Sequence, residues 1–323
     1  MERMPNSLSP FGEPTDTYKP LLDEWNGYRV KMDTFEQIAE KNPNPKTYTP
    51  DILEENQRQL VEAKKNMQEE VSTESILAEA VMAVIPTTYG WIGESGAYTV
   101  VTLEHDDVVN RVDAVKEVTV DKQRKIIVRW AEDVTRRHPG NHNTNSKRIE
   151  NKRSEFDNRE KVKAKVQGIK DSIDDRRKCA GVIVEYFESV AGPDIGIQIT
   201  EPIPLPKVVI SFPDPVIKEL ADLHMAADGG DIEARDKLRN HPARAEYLAE
   251  IKIGLESQIR KIEHRLFLLS DDQSKEHGWL TDSLDRAKST LAYIDSLIGG
   301  DNHPLENTWL GEIYEEIFCS EVS

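Results

Sequence analysis

Two stretches decide the fold: Asn110-Arg111-Val112-Asp113-Ala114-Val115, and Lys125-Ile126-Ile127-Val128-Arg129-Trp130-Ala131-Glu132-Asp133. Both are rich in β-branched residues, and a turn around Asp121-Lys122 separates them, so they read as consecutive strands, 112–120 and 125–131. Acids stand where such strands begin and end. Side chains alternate along a strand, so Asp113 faces opposite to Val112 and Ala114, and Asp133 opposite to Glu132. If Asp113 and Asp133 project from adjacent strand ends on one face, two carboxylates converge.

The flanking sequence completes a pattern. Upstream, 97–103 is a further β-branched strand, with Glu104, Asp106 and Asp107 clustered at its end. Before it, Ser72 or Thr73 starts an amphipathic helix with Ile76, Leu77, Ala80, Val81, Val84 and Ile85 at helical spacing, stopped by Pro86. Glu79 lies within this otherwise apolar helix. Downstream come a long, highly charged helix over 145–175 and a short apolar run over 207–212, the pattern of a strand covered on both faces. The order is α-β-β-β-α-β, an α/β core expected over 71–228. Residues 181–187 are a further strand or a helix end, which periodicity does not settle.

Outside the core, residues 1–50 carry seven prolines and read as an irregular arm with a short helix near 33–41. Thr49-Pro50-Asp51 starts a polar helix running to about 70, with a hydroxyl cap and a proline at the first helical position. After Pro215 the chain reads helical over 216–227, 243–269, 280–297 and 305–318, and 229–323 forms a C-terminal helical region. Leu248, Ile251, Leu255, Ile259, Ile262 and Leu266 lie on one stripe, which packing of the two long helices would bury.

Composition narrows the setting. The 323 residues carry 42 Lys and Arg against 59 Asp and Glu, a net charge of −17. Residues 122–178 alone hold 18 basic and 9 acidic side chains, a local +9, against 24 and 50 elsewhere. Screening over about 8–10 Å lets such a patch act on its own, so nucleic acid is an expected partner through 122–178; a solvated helix face is the alternative. No stretch approaches the roughly 18 unbroken apolar residues of a membrane span, and no signal peptide is read. Cys179 and Cys319 lack a metal-type spacing, which points to a reducing cytoplasm.

Val112-Asp113-Ala114-Val115 followed by Glu132-Asp133-Val134-Thr135 resembles the second and third motifs of the PD-(D/E)XK phosphodiesterases, the superfamily of restriction endonucleases and Holliday-junction resolvases. The resemblance implies a restriction-endonuclease-like core. Asp113 matches the metal-binding acid, Asp133 the acid of the third motif, and Glu79 the glutamate of the first helix. Asp107 is a further candidate metal ligand, and Mg²⁺ is the implied cofactor. The family lysine falls at Thr135, so Arg136, Arg137 or Lys116 would have to replace it from a neighbouring position. A narrower resemblance covers residues 75–265. It rests on His105-Asp106-Asp107-Val108-Val109-Asn110-Arg111-Val112-Asp113, Asp133-Val134-Thr135 and Leu205-Pro206-Lys207-Val208-Val209-Ile210, and is to a group of uncharacterised proteins of candidate-phylum bacteria.

Two functional readings follow. One is Mg²⁺-dependent hydrolysis of a nucleic-acid phosphodiester. The other is an inactive PD-(D/E)XK-like protein that binds nucleic acid or a protein partner, and the missing lysine leans toward it. Each acid also reads as a turn cap or ion-pair member. The loop 136–146 lies near the expected site, and Pro139-Gly140 between His138 and His142 argues against a zinc-binding helix face. Trp91 and Trp130 are expected in the core. Walker, Gly-x-Ser-x-Gly and Rossmann fingerprints are absent, which excludes P-loop hydrolases, α/β-hydrolases and dinucleotide enzymes. A scaffold in which the C-terminal helices make an oligomer is a third reading, and the sequence does not give the oligomeric state.

Overall fold

A computed structural model of the chain describes residues 16–28, 49–66, 73–93, 96–102, 104–121, 126–137, 145–174, 182–184, 188–189, 198–199, 203–269, 274–299 and 309–319. Its centre is a four-stranded mixed sheet of β1 (Ala97–Val101), β2 (Ala114–Asp121), β3 (Ile126–Arg137) and, last in the chain, β8 (Lys207–Pro213), in the order β1-β2-β3-β8. The first three strands are antiparallel, with Ala114 opposite Glu132 and Val100 opposite Val115. β8 runs parallel to β3, with Val209 opposite Asp133. Parallel pairing needs a long crossover. It is supplied by α5 (Asn145–Asp174) and the short strands β4 (Val182–Val184), β5 (Glu188–Ser189), β6 (Gln198–Ile199) and β7 (Ile203–Leu205), in which β4 pairs with β7 and β5 with β6.

Among the described residues, the alternation of β3 and β8 separates two cores, one on each face of the sheet. Val128, Trp130, Val134, Val208, Ile210 and Phe212 pack with α3 (Thr73–Thr88), α6 (Asp214–Asp228), α8 (Ala243–Leu268) and α9 (Ser274–Ile298). Val209, from the other face, packs with Val162, Val166 and Ile169 of α5 and with Leu310, Ile313, Tyr314 and Ile317 of α10 (Trp309–Cys319). Trp91 and Trp130 are both fully buried. The stripe of α8 is buried from Leu248 to Ile262, and α8 packs against α9.

β8 is a sheet edge, and side chains close it. Ser211 N–H donates to Glu250 at 2.8 Å, Val209 N–H to Tyr314 Oη at 3.4 Å and Lys207 N–H to Gln258 at 3.3 Å, while the Gln258 amide donates back to the Lys207 carbonyl at 2.8 Å. These groups stand where a further strand would pair, so the C-terminal helices prevent edge-to-edge association there. Gly254 permits the approach: a Cβ on it would meet Tyr314 Oη at 3.0 Å and Val208 Cγ1 at 3.1 Å.

Several boundaries differ from expectation, each for a local reason. Pro86 does not stop α3, which runs to Thr88. A proline lacks the N–H that would bond four residues back, leaving the Met82 carbonyl without that partner. The Lys116 ammonium occupies it at 2.7 Å and reaches the Ala83 carbonyl at 3.1 Å, and Thr99 also donates to Ala83 at 2.8 Å. The third strand does not end near Ala131 but continues to Arg137, because β8 pairs with it throughout. Glu104–Val108 is a short helix, α4, rather than a strand end.

Within the proline-rich arm, Lys19–Gly27 forms α1, with proline in its first turn and Leu21, Leu22 and Trp25 buried against α3 and α6. The Tyr28 carbonyl accepts from Val101 N–H of β1 at 2.9 Å, tying this arm to the sheet. The helix from Thr49-Pro50 is α2 (Pro50–Asn66). Ile232–Arg239 forms α7, capped by Asp231, whose side chain accepts from Glu233 and Ala234 N–H. The expected helix at 33–41, the His138/His142 pair and most of the 136–146 loop lie outside the described residues. Among the described residues no helix is long and apolar enough to cross a membrane.

Candidate acid–lysine centre

Asp113 immediately precedes β2, and with Ala114 opposite Glu132 the register places it opposite Asp133. Two bonds fix that join: Asp113 N–H donates to the Glu132 carbonyl at 2.9 Å, and Val134 N–H donates to the Asp113 carboxylate Oδ2 at 2.5 Å. Asp133 is 2% exposed, whereas Asp113 is half-buried, so the centre opens on the Asp113 side.

Two lysines close on Asp133. Lys165 of α5 donates to Asp133 Oδ1 and, at 3.0 Å, to the Val134 carbonyl; Lys207 of β8 has its ammonium 2.9 Å from Asp133 Oδ2. Burial alone would raise the Asp133 pKa, but the two ammoniums outweigh it and hold the carboxyl below its ordinary range. Asp113 goes the other way: burial, then the charges of Asp133 and Asp107, push it well above the usual aspartate value. Burial pulls Lys165 down, yet Asp133 and Asp113 outweigh that and raise it; for Lys207 burial prevails and the pKa falls. One acid of the pair is thus ionised against cations, and its neighbour is proton-loving.

The other sequence candidates fall around this pair. Asp107 of α4 acts on Asp113 through its charge, and Glu79 of α3 acts on Lys165. Thr135 is half-buried, two residues beyond Asp133 and on the same face of β3. None of the three expected lysine replacements reaches Asp133. Arg136 pairs with Glu74 and Asp214, Arg137 with Glu246, and Lys116 lies under the other face of the sheet. The cations that do reach it, Lys165 and Lys207, were not candidates from sequence. Lys165 carried a legible signal: Val162, Lys165, Val166 and Ile169 follow helical one-face spacing, so this lysine sits on the one apolar stripe of a charged helix.

Glu132 shows the opposite face. It is fully buried, and its Oε1 accepts from Trp130 Nε1 at 2.8 Å and from Tyr247 Oη, with Lys116 Nζ 3.8 Å from Oε2. Burial raises its pKa and lowers that of Lys116 to about 8. No part of this cluster is exposed, so it serves as an internal tie between β2, β3 and α8.

Part of the basic stretch 122–178 lies outside the described residues, and several of its described cations have partners. Arg129 pairs with Glu117, Arg159 with Glu312 and Glu316, Lys163 with Glu160 and Glu316, and Lys170 donates to the Ile317 carbonyl. These cations fasten α5 to α10 and β3 to β2.

The charges in the centre test whether it suits a divalent cation. Asp113 and Asp133 stand opposite each other with the ammoniums of Lys165 and Lys207 against Asp133, and Asp107 and Glu79 act on the centre through their charges. Among the described residues no three such donors are already gathered around one point. Asp113 and Asp133 would therefore hold the ion with oxygens from water and substrate, a coordination Mg²⁺ accepts. Comparison with family models, curated proteins and solved structures finds no significant match.

Proposed function

We propose that residues 71–228 form a PD-(D/E)XK-like core and that the acid–lysine centre hydrolyses phosphodiester bonds of nucleic acid with the help of Mg²⁺. The observation that carries this reading is Lys165, whose ammonium reaches the third-motif acid Asp133 from α5 although the motif position itself is Thr135. The absence of that lysine was the main argument for an inactive protein.

Each group then has a role that its surroundings support. Asp113 and Asp133 hold the ion, with Asp107 and Glu79 adding negative charge nearby. A bound Mg²⁺ supplies Lewis acidity toward a phosphoryl oxygen. Lys165, quarter-exposed and fixed by Asp133 and the Val134 carbonyl, presents its ammonium to the attacking water and the charge developing on the phosphoryl group. Lys207 holds Asp133 ionised and, with a further bond to the Asn110 carbonyl at 3.3 Å, fixes the loop before Asp113.

A second reading has one observation in its favour. Both Asp133 oxygens lie against ammoniums, which suits a closed ion-pair network in an inactive, nucleic-acid- or protein-binding relative. Cleavage assays on plasmid DNA and structured RNA with Mg²⁺ or Mn²⁺ separate the two. The proposal expects metal-dependent cleavage by the wild type that Asp113→Asn and Asp133→Asn abolish. Uncut substrates under every condition would leave the binding reading.

A further inference from the structure

Arg111 is the only non-glycine residue with positive φ among the described residues, at 56°. A side chain in left-handed backbone crowds its own carbonyl, which is why glycine or asparagine usually takes such a position. The loop holding Arg111 has little freedom to relax. The Asp106 carbonyl accepts from Asn110 N–H and Val112 N–H, both at 3.1 Å. The Asp106 carboxylate accepts from the Asn110 amide at 2.7 Å, and Lys207 holds the Asn110 carbonyl. An arginine stands where a glycine would fit at lower cost, and backbone strain beside a charged centre points to use rather than packing.

Its side chain supports this. Arg111 is exposed and makes no hydrogen bond or ion pair among the described residues. Arg129, Arg136, Arg137, Arg159 and Lys163 all have carboxylate partners. A chain of net charge −17 needs free positive charge where a polyanion meets its acids. Arg111 is two residues before Asp113, at most about 7 Å along the backbone, a separation that the length of an arginine side chain spans, so a phosphate beside one held at the carboxylates is within its range. The planar fork of five N–H donors suits phosphate oxygens.

We infer that Arg111 binds the backbone phosphate next to the scissile one, and that the substrate is therefore a nucleic-acid strand with at least two phosphates rather than a mononucleotide. This rests on the proposed phosphodiesterase reading and deepens it. The shared chemistry is a phosphodiester backbone, and the experiment separates its sources.

Fluorescence anisotropy on the full chain would use labelled single-stranded DNA, duplex DNA and single-stranded RNA oligonucleotides with Ca²⁺, between about 50 and 200 mM salt. Arg111→Gly is expected to weaken binding of the preferred strand roughly 10- to 100-fold. It should also reduce the slope of log affinity against log salt by about one, with the melting temperature unchanged or raised. Arg111→Lys should keep the slope and recover only part of the affinity. Wild-type affinity and slope in Arg111→Gly would overturn the inference while leaving the proposed activity standing. Weaker binding with a lowered melting temperature would make Arg111 structural and also overturn it. A wild type that binds none of the three probes would overturn both.

Discussion

Glu132 and Asp133 are consecutive residues of one strand, both almost inaccessible and both facing lysines, yet they sit in two different kinds of place. Glu132 has aromatic donors, a fully buried lysine and no path to solvent. Asp133 has a half-buried carboxylate opposite and a quarter-exposed lysine against it. A buried ion pair alone is weak grounds for a functional site, because both acids have one. What separates them is access: every member of the Glu132 cluster is fully buried, whereas the Asp133 cluster includes a half-buried Asp113 and a quarter-exposed Lys165.

Removing a lysine from each face should therefore damage different properties. Lys116→Met strands a buried carboxylate and is expected to lower stability in urea denaturation by about 3–5 kcal/mol. Lys116→Met/Glu132→Gln should recover most of that loss, and failure to recover it would mean that the pair does not act as a unit. Lys165→Met leaves Asp133 its second lysine, so its stability cost should stay near 1–3 kcal/mol. Under the proposed activity, its expected signature is a fall in cleavage rate of about 100- to 1,000-fold in the plasmid and RNA assays.

The pH dependence of stability distinguishes the faces next. The folded Lys116 pKa, about 8, lies below the unfolded value of 10.5, so between these values the unfolded chain binds more protons and stability rises with pH. This contribution is on the order of 3 kcal/mol at most. Its slope should be present in the wild type and absent from Lys116→Met/Glu132→Gln when denaturation is followed from pH 8 to 10. An equal slope in both proteins would place the titrating group elsewhere. The smallest effect is expected for Thr135→Lys, which restores the motif lysine where Lys165 already serves Asp133. It should alter stability by about 1 kcal/mol or less and leave cleavage close to wild type. A large gain in rate would show that Lys165 does not do the work assigned to it.

The legibility of these features in sequence followed their range. Strand and helix order, the opposed carboxylates and the buried tryptophans follow from alternation and helical spacing, which are local properties. The continuation of α3 through Pro86 was not legible, because it depends on Lys116, thirty residues on, occupying the Met82 carbonyl. α1 carried its signal in Pro20, Leu21, Leu22 and Trp25, masked by the prolines around it. The motif pattern placed the lysine at Thr135. Lys165 comes from the crossover helix, and only a lysine standing on the stripe of Val162, Val166 and Ile169 hinted at it. Lys207 gave no hint, since a charged residue opening an apolar strand is ordinary.

The most direct test of the central claim is calorimetric titration of Mn²⁺ into the wild type, Asp113→Asn, Asp133→Asn and Lys165→Met across neutral pH. The account predicts one site in the wild type that tightens as pH rises, because Asp113 must lose its proton to serve as a ligand. Binding should be lost in both aspartate variants and retained in Lys165→Met, which frees an oxygen of Asp133. Saturating binding that survives in Asp113→Asn and Asp133→Asn, or no binding in the wild type with substrate present, would contradict it.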